Sequence, residues 1–244
     1  MQNEFSRRGL IFLGVPLLAQ VMPEVDPKLA HEMVGVSHSN LKRVQELVEK
    51  DPGLARACID WGYGDWETAI GAASHVGNRE IAEFLLAHGA VPTIFSAAML
   101  GQLEVVKGMV AAMPGIQRTY GPHGIPLLFH ASAGGEKAKA VFEYLTSLGD
   151  AGKPQETQPL SVEQRDTLPG KYVFGEGAQE HFVVDVVKDR LGINRPGAPS
   201  RVLLHHAGGL VFYPSGSPWT KIAFQLQSGR VTGLQLGSLK AKRV

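Results

Sequence analysis

The side chains able to do chemistry in this 244-residue chain are nine histidines, one cysteine and the aromatic and acidic run Asp60-Trp61-Gly62-Tyr63-Gly64-Asp65-Trp66. A metal site announces itself in sequence when two ligands share a helix face or a turn. His205 and His206 are adjacent in a strand-like stretch and so face opposite sides. Pro126 and a predicted helix start separate His123 from His130, and His75 falls on a predicted helix by itself. No spacing here predicts a metal or a cofactor. A Gly-x-Ser-x-Gly elbow, a phosphate-cradling glycine loop, Cys-x-x-Cys and His-Glu-x-x-His are all missing, so the expectation is a protein that is not an enzyme. The lone Cys58 cannot form an internal disulfide, and its apolar neighbours Leu54, Ala55, Ala57 and Ile59 predict a buried, inert thiol. The chemistry left to the aromatic run is recognition. Tryptophan and tyrosine bury large areas at little entropic cost. Tyr63, set between Gly62 and Gly64, is the ring expected to point outward most freely.

Stepping outward along the chain, Asp65 to Pro92 predicts two short helices. Ala69, Gly71, Ala72 and Ala73 in the first let another backbone approach. Gly77 and Asn78 break it. Ile81, Phe84, Leu85 and His88 follow at helical spacing, and Gly89 stops the second helix. Such a pair cannot bury its own apolar face and needs copies stacked beside it. Thr68-Ala69-Ile70-Gly71-x-Ala73-Ser74-x-x-Gly77, Pro92-Thr93-Ile94 through Gly101, and Pro126-Leu127-Leu128-x-His130-Ala131-x-x-Gly134 repeat one pattern, with 33 residues from Gly101 to Gly134 and 24 from Gly77 to Gly101. The pattern resembles the ankyrin signature Thr-Pro-Leu-His-x-Ala-Ala-x-x-Gly. Residues 28–150 therefore resemble an ankyrin-repeat array. A degenerate first copy has Leu41, Val44, Leu47 and Val48 in its second helix, where Asn40 can act as N-cap.

Residues 151–167 are polar, contain Pro154 and Pro159, and read as a linker. From Leu168 the pattern changes to short apolar stretches separated by glycine turns, which predicts an antiparallel meander over 168–244. Six strands are expected, ending with Lys221–Leu226 and Arg230–Leu236; Lys240, Lys242 and Arg243 read as a solvated basic tail. Gly170-x-Tyr172 and Phe224…Gly229…Leu234 resemble the lipocalin-like β-domains of secreted bacterial hydrolases. At the other end, Ser6-Arg7-Arg8-Gly9-Leu10-Ile11 precedes an apolar run to Met22 and resembles a twin-arginine export signal, so residues 1–22 are an expected signal and the protein is expected in the periplasm or outside the cell.

A net charge of +1 argues against a nucleic-acid partner, and no stretch approaches a membrane span. The expected fold is α+β and multidomain: an ankyrin-type α-solenoid followed by a small antiparallel β-barrel or sandwich. The expected function is non-catalytic binding of a protein partner. The ankyrin resemblance implies contacts through Trp61, Tyr63, Asp65 and Trp66 in one finger, His75 on a helix, and Tyr120 and His123 in a second finger. The competing expectations are a small-ligand carrier with its cavity inside Phe182, Leu203, Phe212 and Phe224, and an accessory domain of a secreted hydrolase system.

Overall fold

The computed structural model describes residues 26–198 and 201–244. The expected export signal at 1–22 lies outside the described residues. The chain is α+β, with helices first and a closed antiparallel barrel after them. Among the described residues no helix is long and apolar enough to cross a membrane.

The helical part consists of consecutive pairs: α1 (Pro27–Val36) with α2 (Leu41–Lys50), α3 (Ala69–His75) with α4 (Arg79–Ala87), α5 (Ile94–Met99) with α6 (Leu103–Ala112), and α7 (Leu127–Ala133) with α8 (Lys139–Ser147). The first helices of successive pairs pack side by side, α1 on α3, α3 on α5 and α5 on α7. Polar side chains start several helices, each satisfying an N–H that the helix itself leaves free. Asn40 accepts from the Arg43 N–H, Asn78 from Ile81 and Thr93 from Ser96. Small residues set the spacing: a Cβ on Gly77 would lie 2.1 Å from the Ala133 carbonyl oxygen, and Gly77 has φ +77°. Met33, Ile70, Ile81, Leu85 and Met99 form one fully enclosed core. Val105 and Met113, on the outer helix α6 and at its end, are exposed instead, since nothing stacks outside them.

Between α2 and α3 the structure departs from the expected loop. Residues Cys58–Asp60 (β1) and Trp66–Thr68 (β2) pair as an antiparallel hairpin with Ile59 opposite Glu67. Alternation turns Ile59 and Glu67 inward and Cys58, Asp60 and Trp66 outward. The Cys58 thiol is therefore exposed, not buried as its apolar neighbours suggested. Burial of part of its surface, followed by the nearby Glu67 and Asp60 charges, still pushes its pKa up.

The barrel has eight strands: β3 (Gly170–Val173), β4 (His181–Val187), β5 (Arg190–Asn194), β6 (Val202–Gly208), β7 (Val211–Pro214), β8 (Ile222–Gln227), β9 (Arg230–Leu236) and β10 (Leu239–Arg243). Each pairs with its neighbour in sequence, and β10 closes the ring on β3 through Lys242 opposite Val173 and Arg243 opposite Tyr172. The residues expected to form a loose basic tail are thus the closing strand. Ala241 points inward, and Arg243 donates to the carbonyls of Thr167 and Pro169. Eight strands leave an interior just wide enough for side chains. Phe182, Phe212 and Phe224 are buried there, with Phe224 5.6 Å from Tyr172 and 5.5 Å from Phe212 between ring centroids. Leu203 faces the other way, being only partly buried, while Leu204 takes the inward position. The space expected as a carrier cavity is occupied by the rings of Phe182, Phe212 and Phe224; of the four residues named for it, only Phe212 borders a groove that lies at the linker.

The linker is not a free tether. Leu128 donates to the Ala151 carbonyl, Tyr120 Oη to Lys153, Tyr213 Oη to Glu156, and Gln158 N–H to the His206 carbonyl. Its end is a short helix, α9 (Val162–Thr167), capped by Ser161.

Candidate metal centre

Four segments converge beside the hairpin. The turn after α1 carries His38, the inward face of β2 carries Glu67, the last residue of α3 is His75, and a 3-10 turn, Pro122–Gly124, carries His123. One ligand atom from each lies within 4.8 Å of the others. Glu67 Oε1 is 2.9 Å from His75 Nε2 and 3.3 Å from His123 Nε2. His38 Nε2 is 3.1 Å from His75 Nε2 and 3.7 Å from Glu67 Oε2. A tetrahedral ion with bonds of 2.0–2.1 Å separates its ligands by about 3.3 Å; the contacts of 2.9, 3.1 and 3.3 Å lie near that value, and the other ligand pairs lie within 4.8 Å.

The surroundings fix the ligands as a metal site requires. The other nitrogen of a metal-bound histidine normally donates to a carboxylate or carbonyl, which sets the tautomer. Here His38 Nδ1 is 3.0 Å from the Gly35 carbonyl oxygen, and His123 Nδ1 is 2.8 Å from Asp65 Oδ2. Asp65 also accepts the His123 backbone N–H at 2.8 Å. Trp61 Nε1 donates to Glu67 Oε2 at 2.7 Å, which leaves Oε1 for the cluster. Although two imidazole nitrogens lie close to it, Oε1 has no aligned hydrogen-bond donor and is fully buried. Away from water such an oxygen needs a cation beside it, either the charged His123 ring 3.3 Å away or a metal ion in place of its proton.

Local geometry accounts for the convergence. His123 sits at φ 60°, a left-handed conformation that costs a residue with a side chain about 1–2 kcal/mol. The two bonds to Asp65 hold it there. The turn comes so close to α3 that a Cβ on Gly71 would lie 3.2 Å from Pro122 Cγ and 3.0 Å from Thr68 Oγ1. The small residues of α3 thus serve the site as well as the helix packing.

The charges are strongly coupled. Burial pushes the Glu67 carboxyl up, but the imidazoles of His123 and His75 outweigh it and hold it at about 2. Asp65 first, then Glu67, raises His123 to about 10, so its ring carries a proton that a metal must displace. A divalent cation would balance the two buried carboxylates, Asp65 and Glu67, at one point. His130 lies behind His75, with ring centroids 6.5 Å apart and both its nitrogens unpartnered; burial pushes it down to about 3 and it stays neutral.

The residues expected to form a partner-binding surface divide three ways. Asp65, His75, His123 and Trp61 belong to the cluster or hold it in place. Tyr63 and Tyr120 tie the helical part to the barrel and the linker: Tyr63 is half-buried 6.3 Å from Phe182, and its carbonyl accepts from Ser217 and Thr220. The free outward ring expected at Tyr63 is instead a packing contact, and burial pushes its hydroxyl up to about 12. Trp66 alone stands in solvent, at 60% exposure. Sequence reasoning missed His38 and Glu67. The available signal was the alternation around Glu67, hidden because strands of three residues are too short to show a period.

No family model matches the chain, and no curated protein matches it. Among solved structures, one described as the crystal structure of SurE aligns at 22% identity over 47% of this chain and 28% of that chain, with a TM-score of 0.29. A likeness of that size carries no argument about this protein.

Proposed function

We propose that the chain is a transition-metal-binding interaction module. One ion is held by His38, Glu67, His75 and His123, and a protein partner is met on the face that carries Trp66. The observation behind this reading is the convergence of the four ligand atoms within 4.8 Å around a buried carboxylate oxygen that lacks a donor. Three imidazoles and one carboxylate suit zinc and its neighbours, not calcium or magnesium, which take oxygen ligands. Four protein ligands fill a tetrahedral shell, the arrangement of a structural ion. A non-catalytic role follows from that saturation. In the same reading the stacked helix pairs are ankyrin-type repeats, and the Ser6-Arg7-Arg8 stretch exports the folded chain to the periplasm.

Equilibrium dialysis against zinc, followed by metal analysis, tests the centre. Wild-type protein should retain roughly one zinc per chain, a hundredfold excess of magnesium should not displace it, and Glu67→Gln, left with three imidazoles, should retain clearly less. Equal retention by the variant would refute the assignment. Cell fractionation tests export: Arg7→Lys with Arg8→Lys should trap the protein in the cytoplasm, and a cytoplasmic wild type would remove this part of the reading.

A further inference from the structure

A groove of about 850 Å³ runs between the linker and strands β5–β7. Its polar wall is a row across the sheet. Gly192 pairs with Leu203, His205 with Tyr213, and Phe212 with Ile222. Continuing those registers sets Arg190 opposite His205, and Lys221 opposite Tyr213. The side chains follow the register. Arg190 Nη2 lies 3.3 and 3.5 Å from the two ring nitrogens of His205, as a guanidinium does over a ring face. His205 stacks on Tyr213 at 5.0 Å with planes 9° apart, and Lys221 Nζ lies 5.4 Å from the Tyr213 ring centroid. Ser215 Oγ is 3.0 Å from His205 Nε2.

Two cations thus bracket two flat rings, Arg190 on the groove wall and Lys221 beyond its lining. Among the described residues, neither Arg190 nor Lys221 has a carboxylate within salt-bridge distance. The one carboxylate on the groove wall, Asp189, is taken by Arg165 at 3.2 Å. The facing wall sets Phe129, Pro154 and Leu160 among the polar Gln155, Thr157 and Gln158, and Phe129 is largely exposed. Clefts of this size, apolar with a few placed polar groups, are where small ligands bind.

We propose that this groove binds a small amphipathic organic anion. Its charged group lies at the Arg190–His205 end of the row, and its apolar body lies against Phe129 and Leu160. A guanidinium backed by an aromatic stack offers an anion charge-assisted hydrogen bonds that a neutral analogue cannot use. The groove reaches the metal centre at His123, but the Arg190–His205 row that would hold the anion contains none of its four ligands, so each can be tested without the other.

Two dyes of similar shape test it on the full chain: the anionic 8-anilinonaphthalene-1-sulfonate and the uncharged N-phenyl-1-naphthylamine. The anion should bind more tightly than the neutral dye and lose affinity as salt rises. Arg190→Gln should weaken the anion roughly tenfold or more and leave the neutral dye unchanged. Lys221→Gln should weaken it less, and it carries the test if Arg190→Gln alters the melting curve. The proposal is overturned if neither dye binds, if both bind alike, or if the two variants keep wild-type affinity for the anion.

Discussion

Zinc at a thousandfold excess over its dissociation constant is expected to raise the melting temperature by about 8–16 °C, and a chelator should reverse the rise. The magnitude comes from linkage. A ligand bound only by the folded state adds about 4 kcal/mol at that excess, and in a chain of this size each kcal/mol moves the midpoint by about 2–4 °C. The effect should be large because metal-free folding leaves Glu67 Oε1 buried beside two imidazoles without an aligned donor. Asp65→Asn keeps all four ligands but weakens the support of His123, and should lower zinc affinity about 10–100-fold, the usual cost of losing a supporting carboxylate. His75→Ala removes a ligand and should abolish the shift. A zinc-independent melting curve in the wild type would mean that the cluster is a histidine–carboxylate network and not a metal centre.

The second large effect is expected at Tyr63. Its ring leaves the hairpin tip and packs on the barrel core near Phe182, while Ser217, Thr220 and Trp219 bind the backbone carbonyls of Tyr63 and Gly64. Truncating a fully buried aromatic ring costs about 3–5 kcal/mol, so Tyr63→Ala, at a half-buried position, should cost about 2 kcal/mol. Tyr63→Phe should behave oppositely. The Tyr63 hydroxyl is buried with no partner, and removing such a group is neutral or stabilising by about 1 kcal/mol. Chemical denaturation of the two variants separates the readings. If Tyr63→Ala left stability unchanged, the hairpin tip would be free of the barrel in solution.

What the sequence determined by itself is local. Gly77 with Asn78, and Gly89, mark helix ends because their backbone and capping chemistry acts within a few residues; α4 indeed starts after the Asn78 cap and stops before Gly89. On β9 both Gly233 and the next residue, Leu234, are buried, so alternation breaks near the point where the β8–β9 register shifts. The antiparallel meander and the helix pairs were legible for the same local reason, whereas the meander's closure into a barrel and not a sandwich was decided by the pairing of β10 with β3. Strand β5 was not legible, because Gly192 breaks its apolar run. Strand β10 was not, because its outward face is charged and only Ala241 marks the inside. Whether Tyr63 points to solvent or to Phe182 depends on a barrel more than a hundred residues away in the chain. The metal centre is the clearest case of a tertiary decision. His38, Glu67, His75 and His123 follow no helical or strand period, so their spacing in sequence carries no sign of a shared site. They meet only because α1 packs on α3, the hairpin turns Glu67 inward, and Gly71 lets the Pro122–Gly124 turn approach closely enough for His123 to reach the same point.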